Sequence, residues 1–379
     1  MILVSSKIQR YWILVVCLYS ISVGSNLHAS PNLSTLSIPA GFHISIFSDK
    51  VPGARSMTSD DKGNLYVGTL KEGRVYELKD ENHDGQADVV NVVAQGLNSP
   101  NGVAWHQGDL YIGEISRILK LSRIAEHPNH PVRPTVIYDQ FPSDRHHGYK
   151  YLRIGPDHKL YTAIGQPCNI CNLPDEIFGS IVHLDLDGTH LTTVARGFRN
   201  SVGFDFHPAT QELWATDNGR DWLGDDSPPD ELNQINKPQL HFGFPFCFGR
   251  DLRDPEYGHL KKCHELTPPR WEFPAHVAAL GLRFYNQRQF PKEYQQQLFV
   301  AQHGSWNRTQ PQGYRIVMLR FENGEPIEEI PFIEGFLQKD GKVTGRPVDV
   351  LVAPDGALFI SDDYSGVIYR VVYEQPAKH

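Results

Sequence analysis

This sequence predicts an all-β chain folded as a six-bladed β-propeller, on three observations. A leucine-aromatic pair inside a short apolar run occurs at Leu65-Tyr66, Leu110-Tyr111, Leu160-Tyr161, Leu213-Trp214, Leu298-Phe299 and Leu358-Phe359. Five of these runs follow a related strand-like segment (GVAWHQ, YLRIGPD, GFDFHPA, GLRFYN and DVLVAPDG), and a third segment often comes after (GRVYELK, RILKLS, IVHLDLDG, YRIVMLRF, GVIYRVV). Helical periodicity is scarce, whereas 32 Gly and 27 Pro mark many tight turns.

From leucine to leucine the steps are 45, 50, 53, 85 and 60 residues. Units of roughly 40–50 residues with several strands each mark a propeller, because one such sheet cannot bury both faces alone while a ring of them can. The long steps carry loop material at Asp217–Arg270, Asn307–Gln312 and Gly335–Thr344. The segment Phe42–Phe47 is expected to join the last blade and close the ring, removing two open edges. A β-sandwich or a set of small β-domains would not explain the recurrence of one template.

Just past the leucine-aromatic strands stand Thr69, Glu114, Gln166, Asp217-Asn218, Gln302-His303 and Asp362-Asp363. Loops at one end of a propeller surround a central depression. So much polarity there predicts a site at that end.

The chain has 379 residues and a formal charge of −8, which argues against a nucleic-acid partner. Lys7 and Arg10 precede an apolar run, Tyr11–Val23, that is short for a bilayer span and is followed by small or polar residues. Residues 1–29 therefore read as an export signal, leaving residues 30–379 as one propeller domain with no stable membrane span, periplasmic or secreted. An uncleaved anchor is the alternative. Cys17 lies mid-run after Val16, which does not suit a lipoprotein site. In an oxidising space Cys168, Cys171, Cys247 and Cys263 read most simply as two local disulfides, although three pairings are open. Zinc suits the spacing less well, and Asn172 after Cys171 excludes a c-type haem.

Five segments carry chemistry. Asp80–Asp88 (DENHDGQAD) places Asp80, Asn82, Asp84 and Asp88 at the spacing of an EF-hand-type calcium loop, with Asn91 where the closing Glu would stand. Calcium is favoured there over a plain acidic turn, and would be structural. His146-His147-Gly148 precedes the third strand pair. A histidine on a loop held by a rigid sheet can move a proton near neutral pH, or serve as a surface residue or metal ligand. Arg199-Asn200 and Arg346 occupy comparable places before the fourth and sixth pairs. Guanidinium clamps carboxylates, so two such arginines suggest an anionic ligand, unless each merely ties down a neighbouring loop. Asp217–Glu231 (DNGRDWLGDDSPPDE) turns carbonyls and carboxylates inward in a manner that suits a second calcium. Gln302–Arg308 (QHGSWNR) fits the rim or wall of a pocket.

Taken together, the stretch His147–Asp157, Arg199-Asn200 before GFDFHP, the loop Asp217–Glu231 leading to HFGFP, and Arg346 before Asp349-Val350 resemble one family. It is the soluble quinoprotein glucose/sorbosone dehydrogenases, and Cys168-Asn-x-Cys171 is similar to the sorbosone dehydrogenase-like, aldose sugar dehydrogenase-like branch. The resemblance spans about Ile38 to Val372. It implies a six-bladed propeller holding pyrroloquinoline quinone and Ca2+. It further implies His147 as the general base, Arg199 and Asn200 as contacts beside the quinone oxygens, Gly219 and Arg220 as backbone carbonyl ligands of calcium, and Arg346 at the cofactor carboxylates. His303 or Arg308 stands in for a lysine of the fifth blade. The sequence departs from the glucose-oxidising branch at His146, where an Asp is common, and at Val348, where a second arginine is expected.

The implied reaction is oxidation of an aldose sugar or related aldehyde, with electrons passed to an external acceptor. A calcium-dependent propeller lactonase or esterase is the alternative enzyme class, and a non-catalytic ligand-binding propeller the alternative outside catalysis. The arginines favour the anionic cofactor.

Overall fold

The computed structural model describes residues 32–126 and 133–374; the predicted export signal, residues 1–29, lies outside the described residues. Blade one is formed by Ala54–Ser59, Leu65–Thr69, Arg74–Lys79 and Val89–Gln95. Blade two is Gly102–His106, Asp109–Gly113, Ile118–Leu121 and Thr135–Tyr138. Blade three is Leu152–Ile154, Leu160–Ile164, Ser180–Leu184 and Thr192–Arg196, with Leu240–His241 added in parallel at its outer edge. Blade four is Phe204–Phe206, Leu213–Asp217, Asp230–Ile235 and Trp271–Phe273. Blade five is Ala279–Phe284, Leu298–Gln302, Arg315–Glu322 and Glu325–Ile333. Blade six is Pro347–Val352, Leu358–Asp362, Val367–Tyr373 and, as expected, the N-terminal strand Phe42–Ser48. Among the described residues no α-helix occurs, and no helix is long and apolar enough to cross a membrane.

The leucine-aromatic repeat has a direct physical cause. Successive side chains of a strand point to opposite faces, and the second strand of each blade lies inside the sheet between two neighbouring blades. Leu65 accordingly packs into the cluster between blades six and one, and Tyr66 into the cluster between one and two. Leu110 and Tyr111, Leu160 and Tyr161, Leu213 and Trp214, and Leu298 and Phe299 repeat the division around the ring. Leu358 and Phe359 complete it. In each pair the leucine fills one inter-blade seam and the aromatic ring the next. Burying each such side chain contributes roughly 1.5–3 kcal/mol.

Part of the polarity at the blade ends turns out to close the blades. The Asp217 carboxylate accepts the N–H groups of Arg199 (2.9 Å) and Asn200 (2.7 Å), so the end of one strand fixes the loop leading into its own blade. Asp362 accepts the Arg346 N–H at 3.0 Å, and Glu114 that of Asn98. Polarity at these positions is therefore structural as well as a mark of a site.

Both disulfides are the local pairs, Cys168–Cys171 and Cys247–Cys263.

Candidate active site

Loops that follow the second strands and loops that precede the inner strands meet at one end of the ring, around a cavity of about 400 Å³. Its wall takes Arg55 from blade one, His147 from the approach to blade three, Arg199 and Asn218 from blade four, and His303 and Trp306 from blade five.

His147 is half-buried and has φ +51°, a left-handed backbone that β-carbon residues adopt at a cost. Neighbouring glycines make the seat. A Cβ on Gly165 would lie 2.6 Å from both the Cβ and the carbonyl of His147, and one on Gly148 would lie 2.1 Å from the Asp144 carbonyl. His147 Nδ1 lies 2.9 Å from the Gln166 carbonyl oxygen. A carbonyl only accepts, so Nδ1 carries the proton and Nε2 keeps its lone pair. Burial holds the imidazole well below its ordinary basicity, and Arg199 and His146 add to that. The His146 ring lies beside it, with 3.9 Å between centroids. The Gln166 N–H in turn donates to the Arg199 carbonyl at 2.8 Å, so one residue sets both the histidine and the arginine.

Arg199 is buried, and its guanidinium is gripped by the loop between Cys168 and Cys171. Nε donates to the Asn169 carbonyl (2.8 Å), and one Nη donates to Asn169 Oδ1 (2.9 Å) and to the Asp221 carboxylate (2.9 Å). The other Nη donates to the Asn218 carbonyl at 3.3 Å. Burial works against its charge; Asp221, Asp217 and Asp230 work for it. The second disulfide loop does the same for Arg220, whose side chain pairs with buried Asp254 at 2.6 Å.

Elsewhere at this end Asp363 gathers two arginines and a histidine: Arg55 at 3.0 Å, Arg346 at 3.1 Å and His303 at 3.1 Å. Burial pushes its carboxyl up, but His303, Arg55 and Arg346 outweigh this and hold it well below the usual range. Arg55 donates Nε to Asn101 and Nη1 to Asp363, which leaves guanidinium N–H groups for an anion in the cavity it lines.

The structure separates the sequence-predicted residues. His147, Arg199, Asn200, Gly219 and His303 line the cavity. Arg346 pairs with Asp363 and is not among the residues that line the cavity. Arg308 binds the Asp225 carbonyl and the Asp226 carboxylate, tying the fifth-blade loop to the fourth-blade loop instead of lining the cavity. Asp80, Asn82, Asp84 and Asp88 lie between the third and fourth strands of blade one. Alternation of strand direction puts that turn at the other end of the ring. Their carboxylates cap the loop's own amides: Asp80 accepts from Asp84 and Gly85, Asp84 from Gln86, and Asp88 from Glu81 and Asn82.

Whether the cavity suits a hard cation is decided by its oxygens. Among the described residues no three His, Cys, Asp or Glu side chains converge as metal ligands. Yet Asn218 Oδ1 and Asn307 Oδ1, both buried on the cavity wall, have no hydrogen-bond partner. Their amide groups are oriented, because Asn218 Nδ2 donates to the Asn200 carbonyl (3.0 Å) and Asn307 Nδ2 to Asp221 (2.9 Å). These two amide oxygens, Asp221 and the Gly219 backbone all belong to the wall of one cavity, and oxygen donors of this kind suit calcium and not zinc.

Beneath this wall lie buried carboxylates. Burial pushes Asp217 up to about 7, Asp230 up to about 6 and Glu231 up to about 8. A raised native pKa means stability that is full below the unfolded value and falls as pH rises through the native one. Glu231 accepts from the Gly249 N–H (2.6 Å) and from Asn233 Nδ2 (3.1 Å), while Asn233 Oδ1 has no partner. An amide at 231 keeps the first bond, and a flip of Asn233 supplies an acceptor for its NH2. Glu231→Gln is therefore expected to stabilise the fold by about 3–4 kcal/mol more at pH 8 than at pH 5, as read from denaturant midpoints in chelator. Equal shifts at both pH values would refute it.

Sequence reasoning missed Arg55 and gave Asn169 no role of its own; it singled out Asn218 and Asp363 only as polar strand ends, and Asp221 and Asn307 only as members of their loops. Arg55 lies in ARSMTSD, which lacks the alternating apolar residues of the other inner strands. Asn169 carried a signal in its place between two cysteines.

Comparison with known proteins agrees with this architecture. Residues 185–374 match the TrAA12-like family model. An uncharacterized protein of Borreliella burgdorferi is 34% identical over 97% of this chain and 98% of its own length. The Trichoderma reesei protein of Carbohydrate-Active Enzymes family AA12 superposes with a TM-score of 0.76 at 20% identity, over 89% of this chain and 97% of its own. The PQQ domain of Coprinopsis cinerea pyranose dehydrogenase gives 0.73 at 18% identity, over 89% and 97%. The soluble aldose sugar dehydrogenase of Escherichia coli gives 0.63 at 17% identity, over 88% and 100%. These structures share the fold, and the family match over half the chain places the protein in the TrAA12-like family.

Proposed function

We propose that the protein is a quinoprotein oxidoreductase that oxidises an aldose sugar or a related aldehyde, with pyrroloquinoline quinone and Ca2+ in the end cavity and an external electron acceptor. The observation that carries this reading is a lone-pair histidine nitrogen on the wall of a cavity that also offers unpaired amide oxygens and an arginine with donors to spare. The PQQ domain of Coprinopsis cinerea pyranose dehydrogenase and the PQQ-bound aldose sugar dehydrogenase of Streptomyces coelicolor support the choice of cofactor.

Asn218, Asn307 and the Gly219 and Arg220 carbonyls would hold the calcium. Arg55, with His303 and Arg346 grouped on Asp363, would face the cofactor carboxylates, and Arg199 and Asn200 its oxygens. What the pair supplies when bound is a hydride acceptor whose carbonyl is polarised by a hard cation. The protein's own part is proton removal. His147 Nε2 would take the proton from the substrate hydroxyl oxygen as the carbon that bears this hydroxyl gives up a hydride. Nδ1–H stays on the Gln166 carbonyl, which steadies the imidazolium. The Asp80–Asp88 loop, at the other end of the ring, would take a calcium for structure alone.

Reconstitution tests the reading. Mature protein supplied with calcium and pyrroloquinoline quinone is expected to reduce an artificial dye with aldoses or aldehydes. A folded, calcium-loaded protein that neither binds the quinone nor turns over refutes it.

A further inference from the structure

Two tryptophans stand at the mouth of the cavity with most of their surface in water: Trp222 is 68% and Trp306 69% exposed. Their rings meet edge to face, 5.3 Å between centroids at 86°, and so form a corner with two indole faces. Trp306 belongs to the cavity wall, so the corner is continuous with the site.

This corner is built and held. Trp222 has φ +71°, a conformation that a bulky residue takes only when its surroundings impose it. The surroundings are a set of ties between the two loops. Asn307 donates to Asp221 at 2.9 Å, Arg308 bonds to the Asp225 carbonyl and, at 3.0 Å, to Asp226, and the Thr309 N–H bonds to Asp225 at 3.1 Å. Each tryptophan is thus next in sequence to one end of the Asp221–Asn307 bond. Leaving two indoles in water is unfavourable; a ligand that covers them removes that cost, and because the loop is already fixed the binding loses little further freedom.

We infer that Trp222 and Trp306 form a carbohydrate subsite outside the cavity, which stacks the second and later sugar units of an oligosaccharide whose terminal unit enters the cavity. The inference rests on the dehydrogenase reading for the identity of the inner unit. A pyranose ring presents an apolar C–H face to an indole and hydroxyls at its rim. Around the corner are hydroxyl partners, among them Asp226, whose side chain is 92% exposed. Those carboxylates disfavour an anionic surface or a polyanion as the occupant. A small aldehyde would fill the cavity and leave the corner bare.

The test is calorimetric titration of the cofactor-free, calcium-loaded protein with glucose, maltotriose and cellotriose, beside dye-reduction kinetics of the reconstituted enzyme. One trisaccharide is expected to bind about tenfold more tightly than glucose, a difference of about 1.4 kcal/mol. Trp222→Ala, at a residue that does not itself line the cavity, is expected to remove that difference, while Trp222→Phe keeps part of it. In turnover Trp222→Ala raises KM for the trisaccharide and leaves kcat and the glucose kinetics unchanged, which also shows that it folds. Trisaccharides that bind no better than glucose, or a gain that survives Trp222→Ala, overturn the subsite. If monosaccharides are oxidised in that case, the dehydrogenase reading stands without it. Tryptophan-dependent trisaccharide binding with no turnover of any sugar keeps the subsite and removes the dehydrogenase.

Discussion

Replacing His147 by alanine is expected to lower kcat for cofactor-dependent dye reduction by about a thousandfold, the middle of the range for loss of a positioned general base. KM and the unfolding midpoint should move little, since the ring makes one hydrogen bond, to the Gln166 carbonyl. The pH profile offers a second check. Burial, Arg199 and His146 all hold the imidazole below its ordinary pKa, so the lone pair on Nε2 persists well into the acid range. The wild-type rate should therefore stay flat from pH 7 to pH 5, where a free histidine would already be losing its basic form. The stability sign is opposite in origin but follows from the same shift. Below about pH 6.5 the unfolded chain takes up a proton that the native histidine refuses, so this residue makes the fold less stable as pH falls. An Ala variant with kcat within tenfold of wild type would remove His147 from the chemistry.

The second large effect is expected at Asp217. Its carboxylate is buried and holds the two adjacent amides of Arg199 and Asn200. Asp217→Ala leaves both N–H groups without an acceptor, at a cost of about 3 kcal/mol. The loop that carries Arg199 then loses its inner anchor, and quinone affinity should fall at least tenfold. Asp217→Asn retains one acceptor oxygen and is expected to recover part of both losses. Unfolding in urea and quinone titration measure the two separately. Stability unchanged in Asp217→Ala would show that water or a neighbour replaces the carboxylate, and that the strand end does not set the arginine.

How far the molecule was legible from its sequence follows from which interactions are local. The six Leu-aromatic pairs were visible because each pair faces two blade seams at once, which imposes the same residue types at every turn of the ring. Ring closure through Phe42–Ser48 was legible because an unpaired last blade would expose an edge. The cysteines paired locally, as short spacing suggested. The site was half legible. His147 and Arg199 carried resemblance and strand-end position, whereas Asp221 joins Arg199, Asn307 and Asn169 across blades three, four and five. Such a hub has no spacing to find in one chain segment. Arg308 misled because a cation near a predicted anion site was read as facing it, while the nearer anions were Asp225 and Asp226 of the adjoining loop.

The pairing of Phe42 with Tyr373 has a kinetic consequence. In no other blade are paired strands so far apart in the chain, although blade three adds Leu240–His241 in parallel and blade four adds Trp271–Phe273 after a long loop. Blade six must bring together the two most distant strands, and the loop-closure entropy of that step is lost before its contacts form. Ring closure is thus the late event in folding, and reopening at this seam the natural first step of unfolding. The end cavity draws its wall from blade one on one side of the seam and from blades four and five, reached the long way round, on the other. It exists only in the closed ring, so whatever binds there also slows the ring's opening.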